Sequence, residues 1–242
     1  MVNSSSYLQL GSIEALVVYK PIKHLHLAVL PPDGRVRVSA PLDMNENAIR
    51  SMLVVKLPWI KQQQKSFKAQ DRQTKREYVS GEAIYFMGRK YKLELIYKDE
   101  TPKVFLKGKT KIILQTRPDA SADKKSEVFN DWLRRELKTV LAELVEVWQK
   151  KLNVQAKSWQ IKEMKTKWGT CNHNNKTILF NLELAKKPIV CIEYVVVHEL
   201  AHLIERTHNE RFIQILDANL PKWQSTKADL NRFVLSYQNW DR

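Results

Sequence analysis

Apolar positions along the chain follow two periods, and the change from one to the other divides it. In the first half they alternate, or run in short blocks bounded by turn residues, as strands do. Ile13 to Tyr19 is one block and Leu25 to Leu30 a second. Pro31-Pro32-Asp33-Gly34 then signals a turn, and Arg35-Val36-Arg37-Val38-Ser39 alternates strictly. The runs flanking that turn predict a hairpin. Residues 82–87, 91–97, 103–106 and 111–114 are four more strand-length runs, with Gly88, Pro102 and Gly108 between or beside them. One helix interrupts the series. Residues 45–64 carry Ile49, Met52, Leu53 and Ile60 at helical spacing, with Pro58 as a bend or a first-turn residue. This half predicts an antiparallel β module with one helix, residues 1–118.

Beyond the linker-like stretch Arg117 to Asp123 the period becomes helical. From 124 to 152, Val128, Trp132, Leu133, Leu137, Val140, Leu141, Leu144, Val145 and Trp148 form one stripe, which reads as core packing. Lys157–Met164 and Thr177–Leu182 are strand-like, and the Asn-rich turn Asn172–Lys176 predicts that they form a hairpin. Pro188 suits the first turn of a helix whose apolar pattern runs from Ile189 to Ile204. Glu210–Asn219 and Ala228–Trp240 read as further helices. The fold class is α+β, with a helical second domain over 119–242.

Composition narrows the function classes. Hydrophobic content is 43%, and no apolar run reaches membrane length. Met1 to Gly11 is polar without a basic start, so no secretory signal is expected. Cys171 and Cys191 form no C-x-x-C pair, which predicts reduced thiols in a cytoplasmic protein. Net charge is +15. Residues 1–120 hold 21 Lys and Arg against 11 Asp and Glu, and residues 121–242 hold 20 against 15. Such a balance can attract nucleic acid, nucleotides or acidic proteins, but its even spread favours none of them. Lys61 to Arg76 has six cationic side chains against Asp71 alone, and reads as a solvated helix end before a phosphate-contacting strip. Gly108-Lys109-Thr110 lacks the earlier glycine of a phosphate loop, Lys103 standing in its place, which excludes a Walker-type site. His24 and His26 are a strand pair without a third ligand, an incidental arrangement.

The chemistry concentrates at His198-Glu199-Leu200-Ala201-His202. On a helix, residues four apart share a face one turn apart, so both imidazoles can bind one metal ion. Glu199 is displaced around the helix and can reach a metal-bound water without becoming a ligand. His208 supplies a third histidine, off the face of the first two unless the helix bends or stops. Thr207-His208-Asn209-Glu210 reads as a capping box, placing His208 in the first turn of a new helix from which it swings back. Val195-Val196-Val197 can also begin a buried strand, but Glu199 would then point away from both histidines, and the apolar pattern is too long for a strand. Three histidines with one open position make a catalytic zinc arrangement.

These residues carry a resemblance. Lys167-Trp168-Gly169-Thr170-Cys171, Asn181 in its strand, Tyr194 through His202, and His208 followed by Phe212 resemble the YgjP-like, SprT-related metal-dependent hydrolases. That family is described both as zinc metallopeptidases and as UTP pyrophosphatases. Its usual motif is W-G-S-C, and Thr170 replaces the serine here. The likeness is dense over residues 157–223 and looser before them, where Asp33-Gly34-Arg35-Val36 and Ala40-Pro41 fit the usual hairpin. It implies a zincin-like second domain. It also implies one zinc ion on His198, His202 and His208, with Glu199 as catalytic acid and base.

Three functions compete. The first is a cytoplasmic zinc metallopeptidase in which zinc-bound water, activated by Glu199, attacks a peptide carbonyl. There Ile178–Leu182 pairs with an extended peptide or protein substrate, and Asn181 and Trp168 are candidate substrate-binding residues. The second is a UTP or nucleoside triphosphate pyrophosphatase. Its usual Mg²⁺ on carboxylates suits a three-histidine site less well than zinc does. The third is a nucleic-acid-associated protease or binding module, docked through the basic surface. No membrane partner is expected.

Overall fold

A computed structural model describes residues 5–30, 34–69, 76–164 and 167–232. The chain forms two compact units, Met1–Arg72 and Gln73–Arg242. The boundary expected at 118/119 therefore falls inside the second unit. There one hydrophobic core joins the strands before residue 118 to the helices after it.

The first unit holds β1 (Ser5–Leu10), β2 (Ile13–Lys20), β3 (His26–Leu30), β4 (Arg35–Pro41) and α1 (Glu46–Ala69). The hairpin expected from residues 25–39 is β3–β4, and the first three residues of its turn lie outside the described residues. The sheet order is β1-β2-β4-β3. Both hairpins are antiparallel, but β2 and β4 run parallel, with Val17 opposite Val38. The purely antiparallel module expected from the sequence is thus corrected to a mixed sheet. Burial explains which strand takes the centre. Val36, Val38 and Ala40 of β4 are all buried, whereas β3 is nowhere fully covered, so β3 takes the edge. Ile49, Leu53 and Ile60 of α1 complete this core, and Pro58 sits within the helix. Gly34 has φ +78°, and a Cβ there would lie 2.7 Å from Gln64 Cγ. The Gln64 amide instead donates to the Gly34 carbonyl at 2.9 Å, closing the hairpin on α1.

The second unit starts with β5 (Ala83–Phe86), β6 (Arg89–Tyr97), β7 (Lys103–Lys107) and β8 (Lys111–Thr116), in the order β5-β6-β8-β7. Here too the central pair is parallel, with Leu93 opposite Ile112. Next comes α2 (Ala122–Leu152), capped by the Ser121 hydroxyl on Lys124 N at 3.2 Å and ended by Asn153 at φ 50°. Phe129, Trp132, Leu133, Leu137, Leu141, Val145 and Trp148 are its buried face. Each such side chain contributes about 1.5–3 kcal/mol by leaving water.

A second, smaller sheet holds β9 (Ser158–Lys162), β10 (Gly169–Asn172) and β11 (Thr177–Asn181), in the order β10-β11-β9. The Asn-rich turn does make a hairpin with β11, but its other arm is β10, not the run 157–164. That run is β9, parallel to β11 on the far side. The turn is too tight to reach further. Asn172 Oδ1 accepts from Asn175 N at 3.1 Å, and Lys176 sits at φ 50°.

Three helices follow, α3 (Ile189–Ala201), α4 (Glu210–Asn219) and α5 (Trp223–Arg232). The last begins five residues before the expected Ala228, and the expected stretch past 232 lies outside the described residues. α3 is buried almost all round, which lets three consecutive valines sit in a helix against their intrinsic preference. The β5–β6 turn fixes where α3 starts. Met87 N donates to Ala185 O at 2.8 Å, and Gly88, at φ +77°, lies so close to Pro188 that a Cβ would come within 2.8 Å of it. Trp148 Nε1 donates to Glu193 Oε1 at 3.0 Å and ties α2 to α3. Among the described residues no helix is long and apolar enough to cross a membrane.

Candidate metal centre

The last turn of α3 carries His198, Glu199 and, at its C-cap, His202. The helix stops there, as the off-face position of His208 requires. Backbone bonds from Leu203 N to Leu200 O and from Ile204 N to Ala201 O, both 2.9 Å, close the turn. The chain then doubles back to His208. The capping box, however, does not form. The Thr207 hydroxyl is engaged with Glu205 at 3.4 Å, and Asn209 caps α4 by accepting from Phe212 N at 3.0 Å. His208 therefore stands just ahead of the second helix and not in its first turn.

The three imidazoles converge, each offering one nitrogen within 4.8 Å of the others. Ring centroids are 4.7–5.0 Å apart, and His208 Nε2 is 3.1 Å from His198 Nε2. Nitrogens bonded to one tetrahedral ion at about 2.0–2.1 Å stand about 3.3 Å apart, so the pair already has ligand spacing. Protonation agrees. Burial, then the neighbouring histidines and Lys227, push His198 down to about 3, and burial also lowers His202. Neutral imidazole is the form that binds a metal. His202 Nδ1 faces the Glu205 carbonyl at 3.1 Å; a carbonyl only accepts, so Nδ1 holds the proton and Nε2 keeps its lone pair. The residues fit a three-histidine metal site.

Phe212 supports all three rings, with centroids 4.7–5.0 Å from theirs and 2% of its surface exposed. The sequence places it only as part of a motif. Its spacing, four residues past His208 on an apolar helix face, was the available signal.

Glu199 points toward β10. Its carboxyl is buried, Oε2 has no hydrogen-bond partner, and burial, opposed by Lys167, pushes its pKa up to about 8. The space it occupies is left by Gly169, where a Cβ would fall 2.6 Å from Oε1 and 2.7 Å from Cγ. The glycine of the W-G-T-C stretch is thus a cradle for this carboxyl. The adjoining cleft, about 620 Å³, is walled by Gly169 to Asn174 on one side and the three histidines, Glu199 and Arg206 on the other. His173 Nδ1 donates to the His202 carbonyl at 2.8 Å and pins the β10–β11 turn to the end of α3. Burial, with Glu199, raises the Cys171 thiol to about 11, so the thiol faces the cleft uncharged.

The two candidate substrate-binding residues fare differently. Asn181 is fully buried. Its amide donates to Met164 O and Lys167 O, both at 2.7 Å, and its Oδ1 accepts from Glu183 N at 3.2 Å. It clamps the backbone that leads into Gly169 and has no face for a substrate, which corrects the expected role. The strand it ends, β11, is the sheet's centre, so Ile178–Leu182 has no free edge for a peptide. Trp168 is half-buried with Lys187 Nζ 5.3 Å from its ring centre, and lines a smaller cavity beside the cleft. Among the described residues His24 and His26 join no metal-ligand group.

The chain matches the family described as YgjP-like, metallopeptidase domain, over residues 23–233. Two solved structures are similar to it, the metallopeptidase zymogens of Pyrococcus abyssi abylysin and of Methanocaldococcus jannaschii jannalysin. Each is 20% identical and covers 37% of this chain, with a TM-score of 0.35; the matches span 90% and 92% of those chains. No curated protein matches.

Proposed function

The chain belongs to the YgjP-like metallopeptidase family, and from that premise we propose that it is a zinc-dependent peptide hydrolase. His198, His202 and His208 hold one zinc ion, and Glu199 is the catalytic acid and base. The observation that carries this reading is the convergence of three imidazole nitrogens beside a buried carboxyl whose Oε2 has no partner.

Zinc held there supplies Lewis acidity toward water and toward a carbonyl oxygen. Glu199 takes the proton of the attacking water at its carboxylate and returns it to the leaving amine. A carboxyl kept from water, with Oε2 free of any other partner, is placed for both transfers. The Gly169 cradle and the bond from Asn181 to the Lys167 carbonyl hold that carboxyl in register with the cleft. An extended peptide adds to the outer edge of β10, the strand that walls the cleft. The free thiols Cys171 and Cys191 fit a reducing compartment such as the cytoplasm.

A second reading, nucleoside triphosphate hydrolysis, is favoured by one observation: Lys167 and Arg206 line the cleft, with Glu199 its one carboxylate among the described residues. One pair of variants tests the site for either substrate. Glu199→Gln should keep the metal and lose at least about a hundredfold in hydrolysis of unfolded protein or peptide. His208→Ala should weaken zinc binding, read by chelator competition. Undiminished zinc affinity in His208→Ala would remove the third ligand. Pyrophosphate release from UTP that vanishes in Glu199→Gln would put the nucleotide first.

A further inference from the structure

A second cavity, about 230 Å³, meets the metal cleft at Gly169, His198 and Glu199. Its walls include Trp168, Tyr194 and Leu230, and Lys167 and Lys227 stand at its rim. The Tyr194 ring stacks on Trp223 with 6.4 Å between centroids and 7° between planes. Lys227 Nζ lies 5.6 Å over that same Trp223, so the lysine rides on an aromatic support. Both lysines are exposed, and both act on the site, Lys167 on Glu199 and Lys227 on His198. Among the described residues Glu199 is the sole carboxylate lining either cavity.

We propose that this cavity is a specificity subsite for a carboxylate next to the scissile bond, either an Asp or Glu side chain or the substrate's own C-terminal carboxylate. The proposal rests on the peptide-hydrolase reading above. A short carbon stem lies against Trp168, Tyr194 and Leu230, and the charge sits between the two ammonium groups. An aliphatic residue satisfies the walls but leaves the rim charges to water. A lysine meets like charge from Lys167, Lys227 and, in the cleft, Arg206, three cations against the single carboxyl of Glu199. The cavity adjoins the metal ligands directly, so the selected group is one residue from the bond that breaks.

The test uses the zinc-loaded full chain and peptides that differ only by Glu, Gln or Lys on either side of one bond. One set has amidated C-termini and another free C-termini without acidic residues. Cleavage is read by mass spectrometry, and the same peptides are titrated onto zinc-loaded Glu199→Gln protein to read binding without turnover. The peptide that supplies the carboxylate, Glu over Gln or free over amidated C-terminus, should lead by about tenfold or more in kcat/KM and in affinity. Lys227→Glu should abolish that preference and favour Lys. Glu preferred over Gln in the amidated set assigns the side chain, and free C-termini preferred over their amidated counterparts assign the terminal carboxylate. Equal handling of Glu and Gln, together with no advantage of a free over an amidated C-terminus, overturns the subsite and leaves the hydrolase reading standing, as does a preference unchanged in both Lys227→Glu and Lys167→Glu. Neither cleavage nor binding of any peptide overturns both.

Discussion

The two units open with the same design. In each, two hairpins lie side by side with a parallel pair at the centre, β2 with β4 and β6 with β8, and a helix follows. The difference lies in how each central strand is covered. β4 reads Arg-Val-Arg-Val-Ser-Ala and is buried at alternate positions until its end. β8 reads Lys-Ile-Ile-Leu-Gln-Thr and is buried at five successive positions. Alternation makes a sheet with one covered face, and a continuous run makes a strand covered on both. Only the second module goes on to share its core with α3, and so to position a metal centre. One topology thus serves two purposes, according to what its helix and central strand are asked to cover.

The largest expected effect separates the modules by the same kind of damage. Trp148→Ala removes a buried ring and its bond to Glu193, and should cost about 3–5 kcal/mol in chemical denaturation. Leu53→Ala, fully buried in the first unit, should cost about 2–5 kcal/mol. Metal affinity should fall in the first variant and stay unchanged in the second. Equal loss of affinity in both would mean that the two cores do not act separately.

A sharper probe sits at Gly169. Its Cβ in Gly169→Ala would meet the Glu199 carboxyl, so this substitution should cost about 1–3 kcal/mol. It should also lower kcat more than it raises KM. Shortening the acid in Gly169→Ala/Glu199→Asp should recover most of the stability. A double-mutant cycle with no coupling would show that the glycine answers to something other than the carboxyl.

Much of this was legible in the chain. The spacing of His198, Glu199 and His202 fixes a shared helix face, and the off-face position of His208 requires the helix to stop, as it does at Ala201. Strand extents were readable from turn residues. Pairing was not, because a local pattern says which residues are buried but not which strand wins the sheet centre. Asn181 shows the same limit. A polar residue at the end of an apolar strand looks exposed, and only the fold reveals that its amide closes the loop at Met164 and Lys167. The Asn-rich turn was correctly read, but its partner arm fell on β10 because the turn is too short to reach β9.

The metal-free protein gives a pH test confined to the second unit. Glu199 is raised from 4.5 to about 8, so the stability tied to its proton is full below pH 4.5 and is lost as pH rises through about 8. His198 is depressed from 6.5 to about 3, so its contribution is present above pH 6.5 and lost as pH falls toward 3. Stability measured in chelator should therefore peak at about pH 4.5–6.5. Glu199→Gln should flatten the alkaline limb, gaining about 1–3 kcal/mol over wild type above pH 8. An alkaline limb equally steep in the variant would assign the loss to another group.

The smallest effect is the most direct test of the one-face description of the first unit. Val54, Val55 and Trp59 of α1 are exposed, Val55 by 75%, while Ile49, Leu53 and Ile60 are fully buried. An apolar side chain already in water has no transfer energy to lose, so Val55→Lys should change stability by no more than about 0.5 kcal/mol. Lysine also has the better helix propensity, which offsets any small loss of packing. A cost above about 1 kcal/mol would mean that this face of α1 is covered in solution. The contrast between the modules would then lie in what covers the first helix, and no longer in whether it is covered.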